Sequence, residues 1–221
     1  MANAIEKVNG IAIADIEKII GKTDDNIEKL NGLEFAGVTV TDAHTLIATA
    51  TSDGSDSSLG FTSGIDSTYD VYEFIFTNIH SQNDAETLGV QFNASGGSGF
   101  NETITSTFFD ANSDESTSGW LNYDTGYDLA QGTGYQPLAV NPGNDNDQSV
   151  SGILTLYAPS STAYVKHFII RLNRTQKDNY HMDTHIAGYI NTTSAIDEID
   201  FKFGGGEIQG GEIKMYGLAK S

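Results

Sequence analysis

Tyr72-Glu73-Phe74-Ile75-Phe76 alternates, with three aromatic rings on one side of an extended chain and Glu73 and Ile75 on the other. A period of two marks a half-buried strand, because successive side chains of a strand point to opposite faces. The same kind of run recurs outward from it. Leu88-Gly89-Val90-Gln91-Phe92, Thr103-to-Phe108, Ile153-to-Tyr157, Tyr164-to-Leu172, His185-to-Asn191, Ile196-to-Phe203 and Glu212-to-Leu218 are rich in β-branched and aromatic residues and bounded by Gly, Asn, Asp and Ser. Strands spaced in this way predict an all-β fold, a jelly-roll-like β-sandwich. Pro137, Pro142 and Pro159 fall in predicted loops, as a ladder that needs every N–H requires. Phe168-Ile169-Ile170 are consecutive apolar residues, which predicts a central strand covered on both faces.

Ahead of these strands the chain repeats itself. Ile5-Glu6-Lys7-Val8-Asn9-Gly10 is followed by Ile16-Glu17-Lys18-Ile19-Ile20-Gly21 and by Ile27-Glu28-Lys29-Leu30-Asn31-Gly32, a spacing of 11 residues each time. Gly suits the residue just past a helix end and is costly inside one, so the repeat predicts short helical turns stopped at each Gly. Asp25-x-x-Glu28 has the spacing of a capping box. Units this short are marginal alone and fold only by packing on something else. Ile5, Val8, Ile16, Ile19, Ile27 and Leu30 are the expected docking face. The organisation that follows is a docking arm over 1–35, a linker with first strands and a polar loop (Thr51-to-Ser67) over 36–68, and the β-sandwich over 69–221.

Charge excludes several function classes. Eleven Lys and Arg face thirty Asp and Glu, and between Leu30 and Val165 there is no Lys or Arg against seventeen acidic residues. Phosphate contacts rest on Lys and Arg, so neither nucleic acid nor an anionic membrane is an expected partner. There are no cysteines, hence no disulfides and no thiol chemistry, which fits synthesis in a reducing cytoplasm. No run of 18 apolar residues is present, and Glu6, Asp15 and Glu17 stand where the apolar part of a secretion signal would be.

Four constellations bear on chemistry. Trp120-Leu121-Asn122-Tyr123-Asp124 runs on to Tyr127 and Tyr135, and aromatic faces flanked by Asp and Asn suit sugar rings, which need an apolar platform and polar edges. Trp120, Tyr123, Tyr127 and Tyr135 are therefore candidate glycan contacts. The oxygen-rich Asn144-Asp145-Asn146-Asp147 makes Asp145 and Asp147 candidate Ca²⁺ ligands, although the spacing of an EF-hand is missing. His181-x-Asp183-x-His185 has strand spacing that would put three zinc-type ligands on one face. Carboxylates are so numerous that no pair stands out for glycoside hydrolysis, and no Gly-x-Ser-x-Gly elbow marks a nucleophile. No catalytic residue is assigned and the chain is expected not to be an enzyme.

The C-terminal half carries a set of phrases: Ser151-Gly152-Ile153-Leu154-Thr155-Leu156-Tyr157-Ala158-Pro159, Ala187-Gly188-Tyr189-Ile190-Asn191-Thr192-Thr193 and the closing Ile213-Lys214-Met215-Tyr216-Gly217-Leu218. With Tyr72-to-Asn101 and the Ile-Glu-Lys-x-Asn-Gly repeat, they resemble a β-sandwich domain of virion structural and tail-fibre proteins of marine bacteriophages, cyanophages especially. The resemblance covers about residues 1–35 and 69–219. It implies a virion component (fibre, appendage or capsid-associated protein) made in the host cytoplasm, which docks on other virion proteins and forms a homo-oligomer, most simply a trimer. A carbohydrate-binding module that recognises a host surface glycan is the alternative.

Overall fold

A computed structural model describes residues 43–219 and, before them, the backbone of seven short strands. The chain divides into two compact units, Met1–Asp42 and Ala43–Ser221.

In the first unit the strands are β1 (Ala4–Ile5), β2 (Lys7–Val8), β3 (Ile11–Ala12), β4 (Lys18–Ile19), β5 (Lys22–Thr23), β6 (Lys29–Leu30) and β7 (Leu33–Phe35). Where it is described, the repeat is thus extended, which corrects the expected helical turns. Val8 pairs with Ile11, Ile19 with Lys22 and Leu30 with Leu33, each in an antiparallel ladder. The residues between these partners in the chain are Asn9-Gly10, Ile20-Gly21 and Asn31-Gly32. Asn-Gly is the favoured two-residue hairpin connection, because both central positions want a positive φ. Of the expected docking face, Ile5, Val8, Ile19 and Leu30 fall in β1, β2, β4 and β6, while Ile16 and Ile27 lie outside the described residues.

The second unit is an all-β sandwich. Its strands are β8 (His44–Thr51), β9 (Leu59–Phe61), β10 (Val71–Ser81), β11 (Leu88–Ala94), β12 (Ile104–Ser113), β13 (Gly119–Tyr123), β14 (Ala130–Gly132), β15 (Gln136–Ala139), β16 (Val150–Tyr157), β17 (Lys166–Thr175), β18 (His181–Ile190), β19 (Ile196–Phe203) and β20 (Ile208–Leu218). They form a nine-stranded sheet in the order β13-β12-β18-β17-β16-β10-β20-β8, with β14 also on β12, and a four-stranded sheet in the order β15-β11-β19-β9. The pairings in both sheets are antiparallel.

Rings from facing strands join the two layers. Phe201 of β19 meets Phe76 edge-on at 5.1 Å and Phe74 at 5.9 Å, both on β10. Phe92 of β11 lies 5.6 Å from Phe168 of β17, and Phe61 of β9 lies 5.5 Å from Phe74. The alternation of Tyr72, Phe74 and Phe76 places all three in the core, each at most 2 % exposed.

Three sequence expectations need correction. β17 does sit inside the larger sheet, but its outer face is open: His167, Ile169, Arg171 and Asn173 are exposed, Ile169 by 53 %. The strand covered on both faces is β11, whose seven residues are all buried. There the outward-facing Gln91 is satisfied by donating to the carbonyls of Glu102, Thr133 and Gly134. Pro137 lies in β15, not in a loop; β15 is an edge strand, where a missing N–H breaks no ladder. The polar Thr51-to-Ser67 stretch contains β9, and Leu59, Phe61 and Ile65 within it are buried. Three residues are too few to show a period.

A bulge bends β10 between Phe76 and Ile79, with Asn78 at φ 51°. Gly211, at φ 102°, packs against it: a Cβ there would run into the Asn78 carbonyl oxygen and stand 2.7 Å from Ile79 Cα. Both the backbone angle and the lack of room demand Gly. Gly211→Ala is expected to cost about 2–3 kcal/mol, read as a lower urea midpoint at unchanged slope.

Candidate functional site

Nine strands overreach four. At the β13 end the inner face of the larger sheet runs out from under the smaller one, and all five residues of β13 are exposed. Directly paired residues of an antiparallel ladder share a face. Trp120 pairs with Asn112, Asn122 with Asp110, Asn112 with Met182, and Met182 with Arg174. These side chains therefore form one inner-facing row across β13, β12, β18 and β17. They line a cavity of about 270 Å³, together with Asp124, Tyr127 and Tyr180.

Local turns hold the walls. Between β12 and β13, Asp114 Oδ1 accepts from the backbone N–H of Ser116, Thr117 and Ser118 at 2.9–3.0 Å, which fixes the hairpin that carries Trp120. After β13, Asp124 Oδ1 accepts from the Gly126 N–H at 3.0 Å, and the Tyr127 ring packs edge-on against Phe108 at 5.2 Å. The Tyr127 carbonyl is held by the buried Gln136 amide at 3.1 Å, and Gln136 in turn accepts from the Ser106 hydroxyl. Trp120 is 51 % exposed and meets Tyr180 edge-on at 5.6 Å, so a large part of its surface stays open.

The floor is ionic. Arg174 is 1 % exposed. Its Nε donates to the Val140 carbonyl at 3.0 Å, Nη1 to Thr184 Oγ1, and Nη2 lies 3.7 Å from Asp110 Oδ2. Burial pulls the guanidinium down to about 10, against the opposing pull of Asp110. Burial also lifts the Asp110 carboxyl above the ordinary carboxylate value; Arg174 and the Asn112 amide oppose this and Asp124 adds to it. Both partners are thus pushed toward their neutral forms.

The four candidate glycan contacts separate. Trp120 and Tyr127 line the cavity. Tyr123 pairs with Phe109 on the outer face, and its hydroxyl donates to Asp128 Oδ2 at 2.7 Å, which raises its pKa. Tyr135 lies beside the smaller sheet, where its hydroxyl donates to Asp200 Oδ2 at 2.7 Å and Lys202 Nζ stands 4.2 Å from its ring centre. Sequence reasoning missed Asp110, Asn112, Arg174 and Tyr180. A signal for three of them exists: Asp110 and Asn112 continue the buried phase of Phe108, and Arg174 that of Phe168, Ile170 and Leu172. A polar residue in phase with an apolar face must be buried with partners or line a site.

His181, Asp183 and His185 do share one face of β18, and His185 Nε2 lies 3.4 Å from Asp183 Oδ2, while the His181 ring lies 3.4 Å from the Asn173 amide. Arg171 grips Asp183 with two hydrogen bonds at 2.9 and 3.0 Å, and the His185 ring stacks on Phe109 at 5.0 Å. Asp145 and Asp147 are exposed in a turn in which the Gln148 N–H donates to the Asp145 carbonyl. Among the described residues no three His, Asp or Glu side chains converge as a metal site.

Comparison with protein-family models, curated proteins and solved structures found no match for this chain.

Proposed function

We propose that this chain is a non-enzymatic recognition module: a jelly-roll-like β-sandwich, displayed on a phage particle by its N-terminal repeats, that holds carbohydrate in the cleft under Trp120. The observation that carries it is the half-exposed indole over a cavity walled by Asn112, Asn122, Asp124 and Tyr127. Sugars bind where an aromatic face meets a ring's C–H groups and planar amides and carboxylates meet its hydroxyls. The virion setting is supported by the resemblance of the repeat and of the C-terminal phrases. Crossings between sheets, as in β10–β11 and β11–β12, are what a jelly-roll-like topology requires.

Two experiments test it. On a glycan array the intact chain is expected to bind, and Trp120→Ala to weaken binding by about tenfold or more. Failure of the intact chain to bind any glycan at millimolar concentration removes the carbohydrate role. By light scattering the intact chain is expected to be a homo-oligomer, and the chain lacking residues 1–35 a folded monomer. If both are monomeric, the repeats dock on a different virion protein; if the truncated chain is unfolded, they are not a docking arm.

A further inference from the structure

Six of the eight large apolar or aromatic side chains left exposed among the described residues stand on one surface, the outer face of the larger sheet: Leu46, Phe109, Leu121, Tyr123, Tyr157 and Ile169. Register puts them there. One row of directly paired residues runs from Leu46 on β8 through Glu73, Thr155 and Ile169 to Thr107 on β12. A second runs from Tyr123 on β13 through Phe109 and Arg171 to Ile75 on β10. Directly paired residues share a face, and Tyr157 and Leu121 lie two residues from Thr155 and Tyr123, on the same side. An antiparallel sheet with one face in water ordinarily turns polar residues outward, and a broad apolar face left bare marks an interaction surface. The smaller sheet is not bare in this way: the outward Gly89, Gln91 and Asn93 of β11 are all buried.

Charge singles out the same face. Among the outward residues of the seven strands from β12 to β8 the carboxylates are Glu73, Asp183 and Glu212, and each has a basic partner. Arg171 holds Asp183 at 2.9 Å, Lys214 donates to Glu212 at 2.6 Å, and the His44 ring lies 3.4 Å from Glu73. Three carboxylates against two cations leave this face close to neutral in a chain that carries −19. We propose that it packs on the same face of a second copy of the chain. An equally acidic copy is repelled over the rest of the surface and meets no unpaired carboxylate here. The area suffices. The seven strands are 8–11 residues long. At about 4.8 Å between strands and about 3.3 Å per residue they present roughly 750 Å², so a face-to-face pair buries on the order of 1,500 Å², the size of a standard stable interface. A groove of about 530 Å³ between Tyr157, Ile169 and Tyr189 seats side chains of the facing copy. Net charge keeps the contact weak between sandwiches alone, and the repeats bring copies within reach. The contact is isologous and closes as a pair, in place of the trimer that the resemblance implies. The Trp120 cleft, on the other side of the sheet, stays free.

The full chain has no cysteine, so one introduced thiol is a clean probe. Ile169→Cys stands within the face, and Asn146→Cys, in an exposed turn, is the reference. Sedimentation of the full chain up to about 1 mM, the weak-affinity range, reads association. In the associated chain the thiol of Ile169→Cys is expected to react with a maleimide at least about tenfold more slowly than that of Asn146→Cys, because its access is blocked. Ile169→Asp is expected to weaken association at least about tenfold with an unchanged thermal melt, since it sets like charges against each other across the contact. Equal reactivity of the two thiols in the associated chain overturns the proposal and leaves the homo-oligomer standing. Slow labelling with association indifferent to Ile169→Asp means that the chain itself covers the face, and overturns it too, as does an odd number of copies. A chain that is monomeric throughout overturns it together with the expected homo-oligomer. Glycan binding at Trp120 is read separately and is decided by none of these outcomes.

Discussion

Arg174→Met is expected to lower the unfolding free energy by about 3–5 kcal/mol, the usual cost of breaking a buried ion pair by removing one partner. Methionine fills much of the arginine stem but returns none of its donors. The Val140 carbonyl, the Thr184 hydroxyl and the Asp110 carboxyl all lose theirs. The double variant Asp110→Leu/Arg174→Met is expected to recover most of this loss, since replacing both members of a buried pair by apolar groups is often neutral. The deficit of the single variant also depends on pH. The Asp110 carboxyl is already raised in the folded chain, by burial first and by Asp124. A raised carboxyl contributes stability that is present below the unfolded value, about 4, and is lost as pH rises through the folded value. Without Arg174 that folded value climbs further, so the single variant is expected to lose more at pH 7 than at pH 4.5. Urea denaturation at both pH values reads this; a loss under about 1 kcal/mol at pH 7 means that the pair is not structural.

Burial drives Asp110 up and Arg174 down, so the pair stands against its own desolvation and is held by the Arg174 donors to Val140 and Thr184. Arg171 with Asp183 is the contrast: it is exposed, bidentate and worth up to about 1 kcal/mol.

The sandwich was legible where a run was long enough to show its period. Tyr72, Phe74 and Phe76 announce β10, and the runs through Ile153, Phe168, Ile199 and Ile213 announce β16, β17, β19 and β20. β9 and β15 were not, because three or four residues carry no period and Pro137 argues for a loop unless the strand is known to be an edge. β13 was hidden for a different reason: all its residues are exposed, so no apolar face betrays it. Its aromatic content nonetheless marks Trp120 as a candidate glycan contact. The rest of the cleft depends on register. That Asn112 faces Trp120, and Arg174 faces Met182, follows only once β12, β13, β17 and β18 are aligned. In the repeat, Asn-Gly is as much a hairpin signal as a helix stop, and the Ile-Glu-Lys spacing alone does not distinguish a turn of helix from a short strand such as β2 or β6.

Phe201→Ala is expected to cost about 3–5 kcal/mol, among the largest effects of any single truncation in the sandwich. Phe201 is fully buried on β19 and touches two rings of the facing sheet, edge-on to Phe76 at 5.1 Å and tilted to Phe74 at 5.9 Å. Removing it opens a void between the layers and deletes both aromatic contacts, each worth about 0.5–1.5 kcal/mol beyond its buried area. The neighbours have little freedom to close in. Phe74 and Phe76 are held by the β10 ladders to β16 and β20, and Phe61 already packs on Phe74 from β9. Phe109→Ala is the matched control. Its ring lies on the outer face, 39 % exposed, and stacks only on His185 among the rings. That change is expected to cost about 1 kcal/mol or less. Urea denaturation followed by tryptophan fluorescence and by far-UV circular dichroism reads both variants, because Trp120 reports the cleft end of the larger sheet and the backbone signal reports both layers. Coincident curves shifted to lower urea for Phe201→Ala mean that the two sheets unfold as one unit through these rings. Separated curves, or equal costs for Phe201 and Phe109, mean that the layers are held together elsewhere.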